Sequence, residues 1–382
     1  MTTSAEKFGY IDAVRGYAIL MVILVHTSQA ISGLSVPARW MTQYGQMGVQ
    51  LFFVASALTL CLSQSRKLLS PSEFYLRRFF RIAPLYYVGI FFYFSLYVIR
   101  HFLKTGSFDE GPYTLANIVA NILFINNYYK PSNNSVVPGG WSISMEMSFY
   151  LIFPVIFRLI SSLRNRTKRQ NVFVSVSLAI TFFMIAVGFV LQAWVAELTN
   201  KQIVNNGQFY FSPLTQFPVF MFGIILFYVM SNNYNPDRRV CLAVFLSLTV
   251  VAILLLNSEL GFAVLLAPSV AALSFSFFIT LVRDTPSLRC TILRNVGQLS
   301  YSIYLFHFFF AWHISGLLYR TIVSQYVTGE LALLIMFVIV TAGSYGIAMI
   351  SGPLIEERGI RQGNRLANRY RSFLSKSSGA TC

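Results

Sequence analysis

Ten apolar runs of bilayer length constrain this chain more than any other feature. They lie near residues 10–31, 46–63, 84–103, 141–160, 171–193, 212–230, 239–256, 261–281, 299–319 and 331–350. An α-helix needs about 17–25 apolar residues to cross a hydrocarbon layer. Inside that layer each backbone amide and carbonyl must be paired within the segment, so runs of this length read as helices. Of the 382 residues, 55% are hydrophobic and 11% charged, and the mean hydropathy is +0.61. Soluble domains carry about 25% charged residues. The expected fold class is all-α: a polytopic integral membrane protein with about ten transmembrane helices.

Charge gives the orientation. A net charge of +16 is compatible with a nucleic-acid partner, but the positive residues form short clusters between apolar runs, as in cytoplasmic loops. With the N-terminus inside, outer segments hold only Arg39, Arg100, Lys104, Lys130, Lys201 and Arg320 of the 29 Lys and Arg. This pattern argues against nucleic acid and places both termini in the cytoplasm. Trp40, Trp141, Trp194 and Trp312 fall toward the outer side, where indole rings settle. Cys61, Cys241, Cys290 and Cys382 fall at or near the inner side, so no structural disulfide is expected. Lys7 precedes the first run, but Arg15 in its first third and the lack of a small-x-small cleavage site make it a retained helix. The expected organisation is one membrane-embedded domain, 1–357, and a basic cytoplasmic tail, 358–382, lying on anionic lipid. No internal repeat or additional fused domain is expected.

Few polar groups interrupt the apolar runs. The first run, YIDAVRGYAILMVILVHT, contains Asp12, Arg15 and His26. Arg15 and His26 are eleven residues apart, which on a helix is three turns plus about 20°, so they share a face about 16.5 Å apart along the axis. Ionisable groups within a span usually face a bundle interior or a watery cavity. His26 and Glu146, on helices running in opposite directions, are both expected roughly 7–8 Å below the outer surface. A carboxyl near an imidazole raises its basicity or joins in proton transfer. A protonated Glu146 bonding a neighbouring helix is the alternative.

Two further groups stand out. FYLRRFFRIAPLYY places Arg77, Arg78 and Arg81 just before the third run, and Arg78 and Arg81 share a helix face. With Arg15 they suit a phosphorylated ligand arriving from the cytoplasm, or serve only the positive-inside bias. In LSYSIYLFH, Ser300, Tyr304 and His307 follow i, i+4, i+7 spacing and line one face. His307 either lines the same cavity or bonds across helices. Asp12, Trp141 and Ser142 complete the cavity-lining candidates. No Cys/His cluster supports a metal, and none is expected. No Walker loop or G-x-G-x-x-G supports nucleotide hydrolysis.

In these residues the chain resembles the acyltransferase-3 family of membrane-bound O-acyltransferases, over about residues 8–357. Arg15 and His26 match the family's R-x10-H signature. GVQLFFVASALTL (48–60) is similar to its second-helix block, and RRFFRIAPLYY (77–87) to its R-x-x-R block. WSISMEMSFYLIFP (141–154) looks like the block carrying its glutamate, and GQLSYSIYLFH (297–307) like its late SYxxYLxH block. Ala57 stands where members usually have Gly, and IEERG (355–359) lacks the Pro that commonly follows. Both departures touch packing rather than chemistry.

The resemblance implies that His26 is catalytic, that Arg15, Arg78 and Arg81 hold an acyl-CoA donor, and that Glu146 supports the site. It further implies transfer of an acyl group, acetyl above all, from cytoplasmic acyl-CoA to a hydroxyl of an extracytoplasmic polysaccharide or lipid-linked glycan at a bacterial inner membrane. Direct transfer and an acyl-His26 intermediate both remain open. The rival reading is a transporter of a lipid-linked sugar or small metabolite. Such proteins often show inverted repeats and Gly/Pro-broken helix pairs, which this sequence lacks.

Overall fold

A computed structural model describes residues 9–67, 69–129, 133–167, 169–231 and 236–378, with side chains up to 373. Lys7, Lys130, Lys168 and Cys382 lie outside the described residues. In chain order the helices are α1 Gly9–Ser28, α2 Val36–Tyr44, α3 Gly48–Lys67, α4 Pro71–Thr105, α5 Leu115–Ile122, α6 Gly140–Arg166, α7 Gln170–Leu198 and α8 Pro213–Ser231. They continue with α9 Arg238–Leu256, α10 Ala267–Asp284, α11 Thr291–Gln298, α12 Ser300–Phe308, α13 Ser315–Thr321, α14 Gly329–Ser351 and α15 Glu357–Ser378. Among the described residues there is no strand, and the all-α, polytopic class stands.

Nine helical stretches among the described residues are long and apolar enough to cross a membrane. The tenth expected run, 299–319, is also helical, but as α12, a π-helical segment Phe309–Ile314 and α13. Ser300, Tyr301, Ser302, Tyr304, His307 and His313 lower its hydropathy, so it is the least lipid-like of the ten.

The chain divides into two compact units. One comprises Met1–Leu62 with Leu159–Tyr345, the other Ser63–Arg158 with Gly346–Cys382.

In the first unit α1 packs along α11. Lipid tails are as apolar as leucine, so helices in a bilayer associate through close packing rather than the hydrophobic effect. This crossing is built for it. A Cβ on Gly16 would run into the Leu293 carbonyl, and one on Gly297 into the Asp12 carbonyl. Only glycine lets the two backbones meet here. The Gln298 Nε2–H donates to Asp12 Oδ2 at 3.3 Å beside the same crossing. The α1 core face continues upward through the fully buried Ile19 and Ile23, and carries His26 in the last turn.

In the second unit α4 begins at Pro71 rather than near residue 84. The reason is a capping box: Ser70 Oγ accepts from the Glu73 N–H at 3.3 Å, and Glu73 Oε2 accepts from the Ser70 N–H at 3.0 Å, with Pro71 at the first helical position. Arg77, Arg78 and Arg81 therefore lie within the helix, not in a loop before it. Pro84 leaves the helix unbroken but has no N–H to give the Phe80 carbonyl. Gly359 of α15 lies against that carbonyl, where a Cβ would collide with it.

The basic segment after residue 357 is likewise helical. From Gly329 the chain runs through α14, a π segment Gly352–Glu356 and α15 to Ser378. Glu356, Gly359, Gly363 and Ala367 are buried at three- to four-residue spacing, forming the stripe that meets α4. Arg77 Nη1–H donates to Asn364 Oδ1, its Nη2–H donates to Asn368 Oδ1 at 2.9 Å, and Arg371 Nε pairs with Glu73 Oε1 at 2.7 Å.

Leu115–Phe124 is the short helix α5 and its end. Tyr86 Oη–H donates to Asn121 Oδ1 at 2.8 Å, fastening α5 to α4. Phe124 adopts φ +58°, a costly conformation for an aromatic residue. Its ring stacks on Tyr86 at 5.2 Å and its carbonyl accepts from Ser144 Oγ.

Candidate active site

The first unit gathers His26, His307, Phe308 and Trp312. The His26 ring centre is 5.3 Å from His307, 4.4 Å from Phe308 and 5.9 Å from Trp312. Gln29, one turn beyond His26, connects the elements. Its Oε1 accepts from the Trp312 indole N–H at 3.0 Å, and its side chain is hydrogen-bonded to His26. The π-helical turn Phe309–Ile314 follows His307 directly; such bulges are frequent at functional sites.

Hydrogen bonding fixes the His307 tautomer. Its Nδ1 lies 2.6 Å from the Tyr304 carbonyl, and a carbonyl can only accept, so Nδ1 carries the proton. Nε2 then bears a lone pair. His307 is fully buried, and its Nε2 has no hydrogen-bond partner among the described residues; the same holds for Nδ1 of His26. Buried polar atoms without partners cost about 1–3 kcal/mol each. Two of them lie here on neighbouring imidazoles.

The other candidates of this unit fall around the pair or below it. Tyr304 supplies the carbonyl to His307 and sets its ring 5.5 Å from the imidazole and 6.3 Å from Phe52. Ser300 is buried at the start of α12. Asp12 belongs to the α1–α11 crossing through Gln298. Arg15 is half-buried on α1, three turns below His26.

The second unit gathers Arg78, Tyr150 and Glu146. Arg78 lies over the Tyr150 ring at 5.7 Å and the Phe74 ring at 5.8 Å, and is hydrogen-bonded to Tyr150. The Tyr150 hydroxyl donates to Glu146 Oε1, one turn earlier on α6. Arg81 is within electrostatic range of both Arg78 and Tyr150. The expectation separated an inner arginine group from an outer carboxyl. Instead, one tyrosine links Glu146 to Arg78, because α4 starts early and lies beside α6. Trp141 and Ser142 are buried in the first turn of α6, where Ser142 Oγ–H donates to the Gly139 carbonyl at 3.0 Å. Arg77, adjacent in sequence to Arg78, is turned away to the asparagines of α15.

Sequence reasoning missed Tyr150 and Gln29, and read Trp312 only as an interface anchor. The i, i+4 spacing of Glu146 and Tyr150 was the available signal. Gln29 carried none, since its partner Trp312 is 283 residues away. Among the described residues no group of three or more His, Cys, Asp or Glu is gathered to hold a metal ion.

A half-buried and a buried imidazole in one unit and an arginine–tyrosine–carboxyl chain in the other are carried on the all-α scaffold of a polytopic membrane protein. The chain belongs to the acyltransferase-3 family, whose acyltransferase domain model matches residues 8–350. It is 25% identical to the acyltransferase MdmB of Streptomyces mycarofaciens, over 92% of each chain. It is 24% identical to the O-acetyltransferase OatA of Staphylococcus aureus, over 78% of this chain and 49% of that protein. No solved structure is a significant match. The family and these relatives make the chain a membrane-bound acyltransferase.

Proposed function

We propose that this enzyme transfers an acetyl group from cytoplasmic acetyl-CoA to a hydroxyl of an extracytoplasmic polysaccharide or lipid-linked glycan, from within a bacterial inner membrane with both termini in the cytoplasm. The observation that carries the reading is His26: an imidazole half-buried in a membrane helix, ringed by His307, Phe308 and Trp312. The name of OatA as an O-acetyltransferase supports acetyl as the group moved, and the basic inner loops support the orientation.

The residues divide the work. Arg78 and Arg81 hold the coenzyme's phosphates; guanidinium groups suit this through their paired donors. Tyr150 and Glu146 hold Arg78 in place. His26 takes the proton of the acceptor hydroxyl as its oxygen attacks the thioester carbonyl. The new C–O bond forms, the C–S bond breaks, and the proton passes from the imidazolium to the departing thiolate, giving acetyl ester and free coenzyme A.

The test is transfer of labelled acetyl from coenzyme A to surface glycan, normalised to protein in the membrane and read by mass spectrometry. Wild type adds one acetyl per glycan repeat, and His26→Gln lowers transfer by about 10²–10⁴-fold, the usual contribution of a positioned base. Near-normal transfer by His26→Gln removes His26 from the mechanism. Absence of any transferred acetyl with the wild type overturns the reading itself.

A further inference from the structure

We infer that His307 is the positioning residue of His26: its Nε2 accepts a hydrogen bond from His26 Nδ1–H and so leaves His26 Nε2 as the nitrogen that takes the substrate's proton. This rests on the proposed role of His26 as base.

The argument starts at Tyr304. Its carbonyl can only accept, so the contact at 2.6 Å places a proton on His307 Nδ1. A neutral imidazole has one donor and one acceptor nitrogen, so His307 Nε2 is a lone pair in search of a donor. That nitrogen is completely buried and has no partner among the described residues. Across a ring-centre separation of 5.3 Å stands the second imidazole, whose Nδ1 is also buried and without a partner among the described residues. A proton on His26 Nδ1 satisfies both atoms together, directly after a small ring rotation or through one bridging hydroxyl. The other tautomer leaves two buried lone pairs and no donor between them.

The hydrogen-bond chain therefore runs from His26 Nδ1–H to His307 Nε2 and from His307 Nδ1–H to the Tyr304 carbonyl. It has the logic of a catalytic triad, in which the partner of one ring nitrogen fixes the tautomer and aims the other. Here the orienting partner is a neutral imidazole rather than a carboxylate. Gln29, whose Oε1 accepts from the Trp312 indole N–H, is also hydrogen-bonded to His26; with Nδ1 unpartnered that bond falls on Nε2, where an amide N–H donates to the lone pair this tautomer leaves there. The π-helical turn after His307 is what widens the helix at this point.

The experiment has two independent readouts. The chain has only four histidines, so ¹⁵N-histidine labelling of the full protein in detergent resolves each tautomer by imidazole nitrogen shifts. Wild-type His26 is expected with Nδ1 protonated and Nε2 bare. His307→Leu should convert His26 to a mixture or to the opposite tautomer, while His307→Gln, whose amide still offers an acceptor, should preserve it. In acyl transfer, His307→Leu should lower kcat by about 10–10²-fold with the KM for acyl-CoA unchanged. That is less than the roughly 10⁴-fold lost when a triad carboxylate becomes an amide. His307→Gln should stay within about tenfold of wild type. A wild-type His26 protonated on Nε2 overturns the inference, as does an unchanged kcat in a folded His307→Leu protein. Should wild type transfer no acetyl while the tautomer is as stated, the proposed function fails and the hydrogen-bond chain survives.

Discussion

Replacing Tyr150 with Phe isolates one hydroxyl. The ring stays, with its contact to Phe74 at 6.3 Å and the Arg78 guanidinium at 5.7 Å, so the cation–π contribution of about 0.5–2 kcal/mol is kept. What goes is the O–H bond to Glu146 and the hydroxyl's bond to Arg78. Tyr150 is only 4% exposed, so water does not replace the lost partner. A hydrogen bond contributes about 0.5–1.5 kcal/mol between neutral groups and about 1.5–3 where one partner is charged. Because Arg78 is one of the two partners, we expect a loss of about 2–3 kcal/mol in unfolding free energy. Acyl-CoA affinity should fall about tenfold, which corresponds to about 1.4 kcal/mol. Glu146→Leu should cost a similar amount. The decisive quantity is their coupling, from a double-mutant cycle on unfolding of the purified protein and on acyl-CoA binding by calorimetry. If Tyr150 links Glu146 to Arg78, the double variant is better than the sum of the singles by at least about 1 kcal/mol. Additivity within about 0.5 kcal/mol, the behaviour of independent sites, would refute the link.

Other expectations are direct. Arg78→Lys should weaken acyl-CoA binding in a calorimetric titration, because a point charge does not replace the paired guanidinium donors. Arg77→Ala should instead lower the unfolding midpoint, by removing its hydrogen bonds to the half-buried Asn364 and the exposed Asn368 on α15, at about 0.5–1.5 kcal/mol. Gly297→Ala should destabilise by about 1–3 kcal/mol, the cost of overpacking, because its Cβ meets the Asp12 carbonyl; thermal unfolding in detergent reads this. A single cysteine at Phe108, in a cysteine-free background, should react with an impermeant maleimide in intact cells, and one at Asn165 should not. The reverse pattern would invert the proposed orientation.

Composition and periodicity alone determined the class of fold. A backbone in hydrocarbon must satisfy its own hydrogen bonds, so ten apolar runs can only be helices, and the rare polar residues within them point inward. His26, His307 and Glu146 stood out for that reason, since each is costly in lipid; Arg78 stood out only by sharing a helix face with Arg81. The start of α4 was also written in sequence, as Ser70-Pro71-Ser72-Glu73, but hydropathy drew attention to the apolar run that follows it.

The pairing of those polar residues was decided only by tertiary structure. His26 meets a histidine 281 positions away because Gly16 and Gly297 let α1 and α11 touch backbone to backbone. That approach depends on the absence of a side chain, which periodicity does not weigh. Arg77 and Arg78 look equivalent in sequence, yet a helical turn of 100° per residue sends one to α15 and the other to Tyr150. Which nitrogen of His307 holds its proton depends on the backbone of the preceding turn, with the Tyr304 carbonyl at 2.6 Å and Ile303 beside it. Local pattern fixes which residues must leave the lipid; only packing fixes whom they meet there, because hydrogen bonds are decided over tenths of an ångström and the sequence records no distances.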